Sequence, residues 1–279
     1  MNEQQRQLYA EKHRRKIIRF ERKFLRPLYD VLHAFTRDVA AKVRKGDPVD
    51  LDSVIAIPGL GEVIADIYTT VGISFARQTM REINKSAREE KAFGFDDEWY
   101  RQILEYFRLY LLNKAVLPIT LSMKDSINSV LEKGLAEGWG IDKMAFEIAN
   151  DPYTLMIARR ALRTEIVKAQ GYGKELGERD SDFESDKIWI AARDHRTRHS
   201  HREIDGRRLP FKEKFSVNKY KGKVLIGTEQ MAGPGDAEAS AANVINCRCT
   251  LVVRAARDEN GRLIRKNKLL LRQTSSLAP

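Results

Sequence analysis

Apolar residues recur every three or four positions through most of the chain, and that period predicts helices. Ile17, Phe20, Phe24, Leu28, Val31, Phe35 and Val39 form the first stripe. Its near-heptad alternation favours one long helix lying along another. Pro27 falls inside the stripe, where its missing N–H and its ring predict a kink or break. Gly46-Asp47-Pro48 ends this element, and Ile57-Pro58-Gly59 with Gly61 marks the next interruption. A second stripe uses Val63, Ile67, Val71 and Phe75; a third uses Tyr100, Ile103, Leu104, Phe107 and Leu111. Helical spacing continues from Asp125 to Leu135 and is interrupted at Gly138, Trp139 and Gly140. A short helix is expected from Ile141, and a longer one from Asp151-Pro152, which offers an N-cap acceptor and then Pro in the first turn. Leu155, Ala158, Leu162 and Ile166 make its apolar face, and Gly171, Gly173 and Gly177 are expected to end it.

The texture changes at the polar stretch 178–186. Beyond it Lys187–Ala192, Lys223–Gly227 and Thr250–Val253 are rich in Val, Ile and Leu, bounded by Gly, Pro and Asn, and read as short strands. The fold class is therefore α+β, a largely helical N-terminal region followed by a small loop-rich α+β domain. Residues 1–150 form the helical region, with the stripes at 17–39 and 100–111 as its candidate partner-binding surface. Residues 151–186 read as a linker helix and boundary, 187–254 as the α+β domain, and 255–279 as a basic tail.

Charge changes the picture more than bulk composition does. The net charge of +11 is uneven: residues 1–26 carry +6, 187–223 carry +8, 254–272 carry +5, and the rest carries −8. Such patches attract polyanions, DNA first among them, with an affinity that falls steeply with salt. Arg14, Arg15, Lys16, Lys219, Lys221, Lys223, Arg265 and Lys266 are the candidate DNA contacts. No helix-turn-helix signal suggests a sequence-reading regulator. No apolar run has the length of a membrane span, and the first residues lack a signal-peptide core, so no membrane is expected. Two cysteines separated by one residue are not a disulfide framework, which fits assembly in a reducing cytoplasm.

The segment Trp189–Cys249 concentrates the chemistry. Asp194, Arg198 and His201 follow Trp189, then Asp205-Gly206, then Pro234, and Asn246-Cys247-Arg248-Cys249 closes the series. Together with Arg163-Thr164-Glu165 on the preceding helix, this ordered set resembles the phage Mu F-like minor head protein family, also called the phage head morphogenesis domain. Residues 1–150 are similar to that family only in forming a helical extension. The resemblance implies a minor capsid protein of a tailed phage, bound to the portal and contacting packaged double-stranded DNA during prohead assembly and in its delivery. It further implies other capsid or scaffolding partners, a place in the virion interior, and assembly in the host cytoplasm. No enzymatic activity is implied.

The residues themselves leave three accounts open. At spacings of four and three, Asp194, Arg198 and His201 would share one side of a helical turn. Asp194 could then pair bidentately with Arg198. On this account Arg163, Glu165, Trp189, Asp194, Arg198, His201, Asp205, Gly206, Asn246, Cys247 and Cys249 form a structural polar network, with no cofactor and no stoichiometric metal. Arg163 would clamp its helix to the following domain, and Trp189 would anchor the core. The second account is a structural zinc at His201, Cys247 and Cys249, with His199 or Asp194 as a fourth ligand, although Cys-x-Cys is shorter than the usual zinc spacing. The third is a nuclease-like enzyme using the Asp194/His201/Cys247 region, with Asp205 as a further acid. The chain has no phosphate-cradling glycine motif, HExxH or nucleophile elbow to support it.

Overall fold

The computed structural model describes residues 1–89 and 95–267, apart from the side chains of 110–112. Leu111 of the third stripe and the distal part of the basic tail therefore lie outside the described residues.

The first stripe becomes one helix, α1 (Glu3–Lys45), started by a capping box between Asn2 and Gln5 and stopped at Gly46 in the left-handed conformation. Pro27 does not break it, contrary to expectation. Ile17, Phe24, Leu28, Leu32, Phe35 and Val39 are buried along its length, and this packing holds the helix across the lost hydrogen bond. The same burial removes the 17–39 stripe as a partner surface, because it faces α2 (Leu60–Ala87), α5 (Ile141–Ala149) and α6 (Tyr153–Arg179) of its own chain. Between them come α3 (Asp96–Tyr106), a π-helical stretch at Phe107–Val116, and α4 (Leu117–Ala136). The third stripe fails as a simple face: Trp99 and Ile103 are buried while Tyr100 is 48% exposed, and the π-helix resets the period after Tyr106.

The largest departure from expectation is α6. It runs unbroken past Gly171, Gly173 and Gly177 to Arg179, and it is a central core helix rather than a linker. The glycines are there for contact. A Cβ on Gly173 would sit 2.2 Å from the Gly72 carbonyl oxygen, and one on Gly177 would sit 2.3 Å from that of Ala76. Two small residues four apart on α6 thus meet two small residues four apart on α2, and the backbones touch. Asp151 caps α6 from just outside it, its Oδ1 accepting from the Tyr153 N–H at 3.0 Å.

A three-stranded antiparallel sheet follows, in the order β2-β1-β5, built from β1 (Ser185–Ile190), β2 (Arg208–Pro210) and β5 (Thr250–Ala255). Short helices α7 (His199–Glu203) and α8 (Ala241–Val244) lie in its connections, as does the hairpin of β3 (Phe215–Lys221) and β4 (Val224–Met231). Strands β2 and β3 escaped prediction. One has three residues, and the other buries only Phe215 and Val217 among lysines and polar side chains.

Strand β5 lies on α2, which seals its outer edge. Val253 N–H donates to Glu82 Oε2 (3.3 Å) and Ala255 N–H to Ser86 Oγ (2.8 Å). The Leu251 carbonyl accepts from Tyr9 Oη (3.3 Å) and from the buried Lys174 ammonium. Burial lowers the Lys174 pKa to about 8, and its hydrogen bonds to Leu251 and to Thr250 Oγ1 (3.1 Å) explain why an amine is tolerated there. A sheet edge left bare inside a protein would strand its backbone groups.

The glycine seam makes a direct prediction. Gly173→Ala and Gly177→Ala should each destabilise by about 1–3 kcal/mol, because helix backbones must separate to admit the methyl. Gly171→Ala, whose Cβ would stand an ordinary 3.5 Å from the Pro234 oxygen, should be neutral or stabilising by up to about 1 kcal/mol. Urea unfolding of the three variants checks this, and equal effects at all three sites would refute the seam.

Candidate functional site

The motif residues gather where α6 meets the loops around the sheet. Arg163 joins three elements: its Nε reaches Glu21 Oε1 of α1 at 3.0 Å, and its Nη1 donates to Asn246 Oδ1 at 3.1 Å. Thr164 Oγ1 accepts the Asn246 N–H at 3.1 Å. Asn246 has φ of +60°, a left-handed conformation that asparagine tolerates better than most residues. Two consecutive residues of α6 therefore hold the turn that feeds Cys247, Arg248 and Cys249 into β5. Glu165 points elsewhere, accepting from Tyr68 Oη (2.8 Å) and Lys168 Nζ (2.8 Å) in the helical core.

The expected pairing of Asp194 with Arg198 does not form. Residues 194–198 are a turn rather than a helix, and Asp194 closes it by accepting from Arg196 N–H (3.0 Å) and Thr197 Oγ1 (3.1 Å). Its partner is Arg248, at 2.8 and 3.0 Å to the two carboxylate oxygens. This is a bidentate pair. Arg198 donates instead to the Ile245 carbonyl. Arg248 was not singled out from sequence, although alternation around Cys-x-Cys demands that it face away from the cysteines.

Asp205 forms a separate knot. It accepts from the Ala191 N–H (2.9 Å) and from Arg193, and it pairs electrostatically with Arg6, whose Nε lies 3.5 Å away. Gly206 follows with φ of +82°, and the Arg6 guanidinium lies 2.9 Å from where its Cβ would be. The Gly206 N–H donates to the Trp189 carbonyl at 2.8 Å. Pro234 belongs to a loop laid against α6, where a Cβ on Gly235 would stand 2.7 Å from the Val167 oxygen.

Trp189 is fully buried, its ring meeting those of His201 and Phe215 edge-on at 5.1 and 5.3 Å. His201 Nδ1 lies 3.6 Å from Cys247 Sγ and 3.5 Å from Cys249 Sγ, and both cysteines are free thiols. Hydrogen bonding from Cys249 and then His201 draws the Cys247 thiol below its ordinary range, while the shared proton and burial push Cys249 up. Among the described residues, these three are the His, Cys, Asp or Glu groups whose ligand atoms converge, within 4.8 Å of one another. Asp194 and Asp205 are not among them, and His199 pairs with Glu203 at 3.1 Å.

The candidate DNA contacts divide. Arg14, Arg15, Lys221 and Lys223 are exposed. Lys16 turns inward, donating to the Ser74 carbonyl (3.2 Å) and Gln78 Oε1 (2.8 Å) over the Phe75 ring. Lys266 is spent on Glu178 at 2.8 Å, and Arg265 pairs with Glu89. A better stripe went unread: Lys12, Arg15, Arg19, Arg22 and Arg26 are all exposed. Steps of three and four place them on one side of α1, over about 21 Å.

Residues 125–252 match the family described as Phage Mu protein F like protein. That span runs from within α4 to β5 and contains every motif residue that carried the resemblance. A similar protein is the NAD(+)--arginine ADP-ribosyltransferase EFV of Enterococcus faecalis (strain ATCC 700802 / V583), 30% identical over 152 residues. The match takes in 50% of this chain and 28% of that protein's length. No solved structure matches.

Arg248 and Asp194 are largely buried, so the pair should behave as a unit. Arg248→Met and Asp194→Asn should each destabilise by about 2–4 kcal/mol, each leaving the other charge without its partner. The double variant should lose clearly less than the sum. Additive losses in a double-mutant cycle would show that the two side chains do not act on each other.

Proposed function

From the match of residues 125–252 to the family described as Phage Mu protein F like protein, we propose that this chain is a minor head protein of a tailed phage. On this reading it binds the portal, contacts packaged double-stranded DNA without regard to sequence, and meets other capsid or scaffolding proteins. It resides in the virion interior after assembly in the host cytoplasm. Among the described residues no helix is long and apolar enough to cross a membrane.

The observation that carries the reading is how the motif side chains are used. Asp194 is neutralised by Arg248, Asp205 by Arg6 and Arg193, and His201 is 1% exposed. Asp205 ties the loops around the sheet to α1 through Arg6, His201 is enclosed in the core, and Asp194, which lines a small cavity with Arg163 and Arg248, is held there by Arg248. A nuclease built on Asp194, His201 and Cys247 would need those groups accessible, so we infer a structural, non-enzymatic role. The basic stripe on α1 supports the DNA contact. A groove lined in part by Tyr153 and Met156, exposed at 58% and 59%, supports a protein partner at the α4–α6 face.

Two experiments test this. The protein should co-purify with proheads and with a portal oligomer, and absence from both proheads and virions would overturn the assignment. In DNA binding, Arg15, Arg19 and Arg22 replaced together by Gln should flatten the slope of log affinity against log salt by about 2–3, with no change in sequence preference. An affinity indifferent to salt would remove DNA from the partners.

A further inference from the structure

We propose that His201, Cys247 and Cys249 bind one thiophilic metal ion, zinc or copper(I), which ties the start of β5 to α7. The proposal stands apart from the phage-head reading and does not need it.

The backbone explains the short spacing. Asn246 is fixed in its left-handed turn by Arg163 and Thr164, and from it the chain runs towards β5 with burial that alternates at Cys247, Arg248 and Cys249, as extended chain would give. In extended chain, residues two apart face the same side. Cys247 and Cys249 therefore point together into the core while Arg248 points out to Asp194. His201, on α7, completes the set from the opposite side. All three are buried, at 1% for the histidine and 2% for each cysteine.

The separations match coordination. An ion held by sulfur at about 2.3 Å and nitrogen at about 2.0–2.1 Å, in tetrahedral geometry, sets S···N at about 3.5–3.6 Å. The two observed values are 3.6 and 3.5 Å. Hydrogen bonds account for less. Nδ1 has either one proton or one lone pair, so it cannot serve two sulfurs well. An ion would use the Nδ1 lone pair and both thiolates at once, releasing the thiol protons on binding. The fourth ligands considered from sequence are engaged elsewhere, His199 with Glu203 and Asp194 with Arg248. Three protein ligands suit zinc completed by one exogenous ligand, or three-coordinate copper(I).

The test uses the full chain, purified under reducing conditions and analysed for metals. About one zinc or one copper per chain upholds the proposal, and the element found decides between the two. Cobalt(II) added to metal-free protein should give thiolate-to-metal charge-transfer absorption, which Cys247→Ser and Cys249→Ser each abolish. Should those variants fail to fold, the wild-type readouts still decide, together with native thiol titration, in which added zinc should protect both cysteines. Substoichiometric metal, no cobalt band and thiol reactivity unchanged by zinc would together overturn the site.

Discussion

Everything in this molecule rests on the contact between α2 and α6. Where Gly72 and Ala76 face Gly173 and Gly177, no side chain separates the helices, and the backbones set the distance. That closeness brings one side of α2 near enough to the sheet for Glu82 and Ser86 to take the outward N–H groups of β5, while α6 brings Lys174 to Leu251. Bulkier residues at the seam would move those donors and acceptors out of range. The polar seal of the sheet is thus a consequence of what is missing from two helix faces.

The motif network is built on the same geometry. Because α6 is a core helix, Arg163 and Thr164 are rigidly placed, and Asn246 is held in a conformation the chain would otherwise avoid. The motif residues that carry the resemblance to the Mu F-like family divide into tethers (Arg163, Thr164, Asn246), loop locks (Asp194 with Arg248, and Asp205 with two arginines) and a buried cluster around Trp189. Each group fixes a loop that has little regular structure of its own. A small sheet of three strands needs such help, since its own apolar area is modest.

Much of this was legible beforehand. The period of apolar residues gave α1, α2 and the start of α6, and the ordered motif set pointed to the family whose model matches residues 125–252. Failures came where a residue's usual local meaning was overridden by tertiary contact. Glycine ordinarily weakens a helix, yet Gly173 and Gly177 are required by a neighbour that no single-sequence pattern names, although two pairs of small residues four apart were there to be seen. Pro27 ordinarily breaks a helix, but the buried side chains on either side hold α1 together. Asp194 and Arg198 have helical spacing, but their segment is a turn, so spacing said nothing about direction. Charge counts located the basic regions without showing that Lys16 and Lys266 face inward.

The sealing of β5 also bears on the order of folding. Tyr9, Glu82 and Lys174 are brought together by helices that precede the sheet in the chain, yet each finds a partner in residues 251–253, which are made after them. Until that strand arrives, the nascent helices hold an amine and a carboxylate facing an empty groove, and their packing there must stay loose and hydrated. Native closure therefore depends on pairing across a long sequence separation, which is intrinsically slow. A chain still in that open state presents a vacant strand position, a place where a chaperone or an assembly partner can hold it before the last strand locks in.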